Sequence, residues 1–143
     1  MNSPGRFLLR IPLRFREELE DNARTTAPNE CCGLLAGVIH EGVGTVSAHY
    51  PLSNSLASET EFLSEPTEML AAVKDMRKKG IDVLAVYHSH PTSEPVPSRK
   101  DLERSYSEAA MNLIIGPDFS EIRGWWLMGQ SYEPAEFEWF SIR

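Results

Sequence analysis

The chain has 143 residues, 41% hydrophobic and 24% charged, which is most simply one domain over 1–143, able to bury about two-thirds of its unfolded surface. Its net charge of −7 argues against a nucleic-acid partner, no apolar run is long enough to cross a bilayer, and Met1–Arg10 lacks the pattern of a secretory leader. The two cysteines, Cys31 and Cys32, are neighbours poorly placed to bridge one another, so a reducing cytoplasm is the expected setting.

Phe7-Leu8-Leu9-Arg10-Ile11 reads as a short first strand. Pro12 is placed to open a helix in which Phe15, Leu19 and Ala23 recur at four-residue spacing beside Arg14, Arg16, Glu17 and Glu20. Thr25 to Asn29 ends that helix and leaves Glu30 at the mouth of a second strand, 31–36. Turn residues from Gly37 to Gly44 then precede a third strand, Gly44 to Pro51. His40 and His49, without matched partners in the sequence, read as structural. Ser53 to Ser58 is a polar loop, and Glu61-Phe62-Leu63 reads as a short edge strand.

Pro66 to Lys79 predicts a second helix, with Met69, Leu70, Val73 and Met76 as its apolar stripe, basic residues in its last turn and Gly80 to close it. A β-branched strand over 81–88 follows, then a proline-stiffened loop and a third helix from Ser98 to about Ala109. Met111 to Ile115 is a buried strand stopped by Gly116-Pro117, and 122–128 and 137–142 predict two final, antiparallel strands. Trp125, Trp126 and Trp139 belong to the core or its rim. There is no repeat, low-complexity tract or dividing linker. The pattern predicts an α/β fold whose mixed, mostly antiparallel sheet carries helices on both sides.

The chemistry gathers where the 81–88 strand ends, at His88-Ser89-His90-Pro91. Side chains at i and i+2 of a strand share a face, with about 6.5 Å between their Cα atoms, so two imidazoles can converge on one metal ion. Ser89 then faces the other way. A lone His-x-His also fits two polar residues leaving a sheet. With seven residues between it and His90, however, comes Ser98-Arg99-Lys100-Asp101. Ser-x-x-Asp reads as a local helix cap, yet a helix starting there would also turn Asp101 back towards the strand end. Two nitrogens and one oxygen suit zinc, and three protein ligands leave a fourth position open, as at a catalytic metal.

His88-Ser89-His90-Pro91, the seven-residue gap to Ser98 and two more residues to Asp101 resemble the signature of the JAMM (MPN-plus) zinc metallopeptidases, in their compact prokaryotic form. That family adds an upstream glutamate after a proline and before a Cys-Gly and aliphatic run. Pro28-Asn29-Glu30-Cys31-Cys32-Gly33-Leu34-Leu35-Ala36-Gly37 is similar, and the resemblance spans residues from about 28 to 116. It implies the family's α/β sandwich, related to that of cytidine deaminases, and one Zn2+ held by His88, His90 and Asp101. It also implies Glu30 as general acid–base and Ser98 as a stabiliser of the oxyanion.

The activity implied is hydrolysis of a peptide or isopeptide bond at the Gly-Gly tail of a ubiquitin-like, sulfur-carrier protein, the tail pairing with a sheet edge beside the zinc. Nine residues between Asp101 and Met111 leave no room for the insertion of eukaryotic deubiquitinating members. The leaving group, the metal's identity in the cell and a homodimer stay open. The rival within the fold is a non-catalytic, protein-binding scaffold, which usually lacks ligands or the glutamate. A deaminase would need His-x-Glu and Pro-Cys-x-x-Cys, which are absent, and a thiol protease would need a histidine partner for Cys31 or Cys32. The cysteines read instead as small packing residues.

Overall fold

Strand-forming and helix-forming runs alternate along the computed structural model, which describes residues 6–141. The order is β1 (Leu8–Pro12), α1 (Leu13–Thr26), β2 (Cys32–His40), β3 (Val43–Leu52), α2 (Pro66–Lys79) and β4 (Asp82–Ser89). Then come α3 (Arg99–Glu103), β5 (Met111–Ile115), β6 (Ile122–Met128), β7 (Ser131–Pro134) and β8 (Phe137–Phe140). All eight strands form one sheet in the order β7-β6-β5-β4-β2-β3-β1-β8. The pairs β2·β3, β2·β4, β5·β6 and β6·β7 are antiparallel, while β1·β3, β1·β8 and β4·β5 are parallel, so the sheet is mixed with antiparallel pairs in the majority. None of the described helices is long and apolar enough to cross a membrane.

The two faces of the sheet carry different helices. On one, Phe15, Leu19 and Ala23 of α1 bury against Cys31, Leu35, Ala85, Tyr87, Leu113 and Ile115. On the other, Ala72 and Met76 of α2 pack with Cys32, Leu34, Ala36 and Val86. Adjacent strand residues thus serve opposite layers, as a period of two requires. The outer strands curl towards each other: the Ala135 amide donates to the Gly124 carbonyl at 2.9 Å, and Phe137 lies over Gly124.

Several elements depart from their sequence reading. The second strand runs to His40, and the turn shrinks to Glu41 and Gly42, both at positive φ, because pairing with β3 continues through a bulge at Ala36/Gly37. Glu61-Phe62-Leu63 is not a strand; the nearest regular contact is an isolated bridge between Asn54 and Ser64. The bounds of α2 match, with Gly80 in the left-handed conformation at its end, but Leu70 is 55% exposed and Ala72 takes its place in the buried stripe. The third helix is five residues long, and turns fill 104–110. β7 was not foreseen, since Ser-Tyr-Glu-Pro has no apolar period to mark it. β8 does not pair with β6 but runs parallel to β1 at the opposite edge, and Ile142 of the expected strand lies outside the described residues.

His49 also has partners that the sequence did not reveal. Its Nδ1 lies 2.8 Å from Glu18 Oε1 and its Nε2 2.6 Å from the Tyr87 hydroxyl, which also accepts from Asn22 at 2.7 Å. Burial lowers the His49 pKa against its Glu18 partner, so the neutral ring donates to Glu18 and accepts from Tyr87. This chain ties α1 and β3 to the centre of β4. It also fixes the Tyr87 ring against Gly33 of β2, where a Cβ would collide with the ring and hydroxyl. Gly33→Ala is therefore expected to cost about 1–3 kcal/mol, as overpacking against an immobile group does. Urea denaturation measures it, and an unchanged midpoint would show that the ring can yield.

Candidate metal centre

The register of β2 against β4 decides which side chains can meet. Cys32 lies opposite His88, the Ser89 amide donates to the Cys31 carbonyl at 3.2 Å, and the Cys31 amide donates to Ser89 Oγ at 2.8 Å. Opposed residues of an antiparallel pair share a face, and every second residue repeats it. Continuing the alternation places Glu30 and His90 on the face of Cys32 and His88, while Cys31 and Ser89 turn to the α1 core. Glu30, His88 and His90 come together, and Ser89 stays apart as expected.

Asp101 reaches them from α3. A capping box sets its angle: the Asp101 amide donates to Ser98 Oγ at 3.2 Å, and the Ser98 amide to Asp101 Oδ2 at 2.8 Å. The loop before it is pinned by the His90 amide on the Ile115 carbonyl (2.8 Å) and Trp125 Nε1 on the Pro95 carbonyl (2.9 Å). Lys100 and Arg104 pair with Glu61, at 2.5 and 3.3 Å, strapping the 53–65 segment to α3. Next to Glu61, Phe62 stacks on the His88 ring, with centroids 4.6 Å apart. Glu61, Phe62, Glu94 and Trp125 escaped the sequence reading as site-supporting residues, because only proximity identifies them.

The three donor groups form a compact triangle in which each histidine faces a different oxygen of Asp101. His88 Nε2 and His90 Nε2 are 3.1 Å apart, His90 Nε2 and Asp101 Oδ2 3.0 Å, and His88 Nε2 and Asp101 Oδ1 3.1 Å. A tetrahedral ion with bonds of about 2.0–2.1 Å separates neighbouring donors by about 3.3 Å, so little movement is needed to fit one. His90 Nδ1 lies 2.8 Å from the Glu94 carbonyl, and only an N–H can satisfy that contact. In the neutral ring, the Nε2 lone pair then faces a carboxylate oxygen. Positive charge must sit among these atoms, as a proton in the metal-free chain or as a cation. The group could hold a metal ion, and its nitrogen and oxygen donors fit zinc.

Electrostatics follow burial. Burial lowers the His88 pKa, and it opposes charge on His90 as well, but there the Asp101 contact and Glu94 carbonyl prevail and raise it. Burial alone would raise Asp101, yet its bonds to both histidines hold it far below the carboxylate range. Glu30, 2% exposed, has a buried Oε1 with no hydrogen-bond partner, and burial pushes its carboxyl from 4.5 up to about 8. The Cys31 and Cys32 thiols, pushed by burial to about 12 and 11, are inert packing groups.

Among the described residues, no free sheet edge lies beside the metal centre. β4 is bonded on both sides, to β2 and β5, and the free edges belong to β7 and β8. Of the tryptophans, Trp126 is buried, while Trp125 and Trp139 are partly covered.

Residues 12–128 match the family of prokaryotic homologs of the JAB domain. The chain belongs to that family. It is 36% identical over 108 residues to a desampylase of Haloferax volcanii, covering 72% of this chain and 76% of that protein. It is 30% identical over 107 residues to a CysO-cysteine peptidase of Mycobacterium tuberculosis, covering 73% and 72%. The solution structure of a Desulfitobacterium hafniense protein superposes with a TM-score of 0.85 at 31% identity, over 94% of both chains. The mixed sheet with its three helices is thus the JAB-domain architecture.

Two measurements check the electrostatics. In the metal-free chain a carboxyl raised from 4.5 to about 8 keeps a proton that the unfolded chain gives up, so its effect is to lower stability as pH rises through that window. Glu30→Gln should accordingly raise the melting temperature of the metal-free protein at pH 8 and leave it unchanged at pH 4. An equal effect at both would contradict the burial argument. His90→Ala should abolish binding of one equivalent of zinc, read by calorimetry at pH 7; undiminished affinity would remove the triangle as the metal site.

Proposed function

We propose that the chain, acting as one domain over 1–143, is a zinc-dependent peptidase that hydrolyses a peptide or isopeptide bond after the Gly-Gly tail of a ubiquitin-like or sulfur-carrier protein. The observation that carries this reading is Glu30: a buried carboxylate with an unpartnered oxygen, on the sheet face of the His88–His90–Asp101 triangle. A scaffold used only for binding has no need of an uncompensated buried acid beside three convergent donors. The named activities of the relatives, a desampylase and a CysO-cysteine peptidase, point the same way.

His88, His90 and Asp101 would hold the ion. When bound, zinc supplies a Lewis acid that brings the pKa of a water towards neutrality and polarises a carbonyl. Glu30 accepts the proton of the attacking water and returns it to the departing amine. A carboxyl pushed upward by burial suits both halves of that task near neutral pH. Ser98 accepts the Asp101 amide through its oxygen, which leaves its own proton free to donate to the oxyanion. His90 keeps its tautomer through the Glu94 carbonyl, and Phe62 shields one face of His88 from water.

The test compares wild type with Glu30→Gln, each loaded with zinc, on a ubiquitin-like protein carrying an extension after Gly-Gly. Glu30→Gln should retain one metal per chain and lose turnover by about 10²–10⁴-fold. Unaltered turnover would remove Glu30 from the reaction, and absence of turnover in a metal-loaded wild type would favour a binding scaffold.

A further inference from the structure

Among the described residues, the buried side-chain atoms without a hydrogen-bond partner are Glu30 Oε1, His88 Nδ1, Ser105 Oγ and Asn112 Nδ2. The first two belong to the metal centre. Ser105 and Asn112 do not, yet both line, together with His88 and Asp101, a cavity of about 180 Å³ on the α2 face of the sheet. Most of the remaining wall is apolar, from Leu34, Phe62, Met69 and Val86.

Asn112 is the sharper anomaly. β5 reads Met-Asn-Leu-Ile-Ile and every residue in it is buried, the asparagine being 4% exposed. Its parallel register, Asn112 beside Val86 and Ile114 beside His88, puts the amide on the face that carries the metal ligands. A valine would continue the strand without stranding an amide in an apolar wall. A buried donor without a partner costs stability, and its retention calls for a ligand that completes it. Two residues that line one space of side-chain size, each with a polar side-chain atom lacking a partner, suit an occupant that brings an oxygen on an apolar stem.

This inference rests on the peptidase reading above. On the acyl side of the scissile bond, two glycines have no side chain to fill a cavity, so its occupant comes from the other side. We infer that the cavity receives the side chain of the residue whose amine leaves, and that it selects a flexible stem ending in an uncharged carbonyl oxygen, as in glutamine. A carboxylate tip is disfavoured, because most of the wall is apolar and Arg104, the one cation in the lining, is paired with Glu61. The reaction is plain hydrolysis: water adds its oxygen to the glycyl carbonyl carbon, the C–N bond breaks, and the amine leaves with a proton.

The zinc-loaded full chain is offered peptides in which Gly-Gly is followed by Gln, Leu or Gly. The glutamine peptide should exceed the glycine peptide in kcat/KM by about tenfold or more and also exceed the leucine peptide. Asn112→Leu should reverse the order of glutamine and leucine, and Ser105→Ala, a milder change, should narrow the gap. Equal rates for all three peptides, or an order untouched by both substitutions, would overturn the pocket while leaving the peptidase standing. A second readout does not depend on turnover: the Asn112 side-chain amide NMR signal, titrated with glutamine amide and with glycinamide. A saturable shift with the former alone supports the pocket even if no peptide is cut, a result that would instead overturn the peptidase reading. No shift with either overturns the pocket.

Discussion

Cys32 faces His88 across β2 and β4, and the chemistry of the protein depends on that register. Strand side chains alternate with a period of two, so a slip of one residue would send Glu30 into the α1 core and bring Cys31 beside the histidines. The register is held from the other face. Cys31 and Ser89 exchange two hydrogen bonds there, and Tyr87, fixed by Asn22 and His49, lies against the one position in β2 where only glycine leaves room for it. The irregularity in this pairing, at Leu35/Ala36, lies further down the strands and leaves the end near the metal centre undisturbed. One face packs so that the other can hold polar groups in place.

Capping and metal ligation, which look like rival explanations of Ser98 and Asp101, turn out to be one arrangement. A five-residue helix has little stability of its own. The capping box gives α3 a defined start and aims the Asp101 carboxylate. The same Oδ2 that accepts the Ser98 amide faces His90 at 3.0 Å. Glu61 adds a clamp from a distant loop and brings Phe62 onto His88. Each support is weak alone. Together they hold three donor atoms at spacings that a small cation accepts.

The unsatisfied buried atoms of the described residues share one side of the sheet, at or next to the metal centre. Each such atom costs about 1–3 kcal/mol when it has no partner. The opposite side, where Leu19, Leu35, Ala85 and Leu113 meet, has an apolar core to offset that cost. The protein therefore keeps its strain where chemistry can use it, which is the usual distribution for a functional site.

The sequence by itself determined the local elements with strong periodicity and the identity of the chemical groups. α2, β5 and β6 were legible to the residue, because their apolar spacing, glycine stops and caps are all local signals. His88, His90 and Asp101 were legible as a group because the motif confines them to fixed spacings; strand alternation puts the two histidines on one face, and the cap of α3 brings the aspartate to them. Only the tertiary structure decided the pairing of β2 with β4, together with the placement of β8 beside β1, the brevity of α3 and the exposure of Leu70. The Glu18–His49–Tyr87 chain, the Glu61 clamp and the cavity under Asn112 belong to the same class. All of these join residues far apart in the chain. Their physical cause is the packing of one surface on another, which a pattern of neighbours along a sequence does not contain.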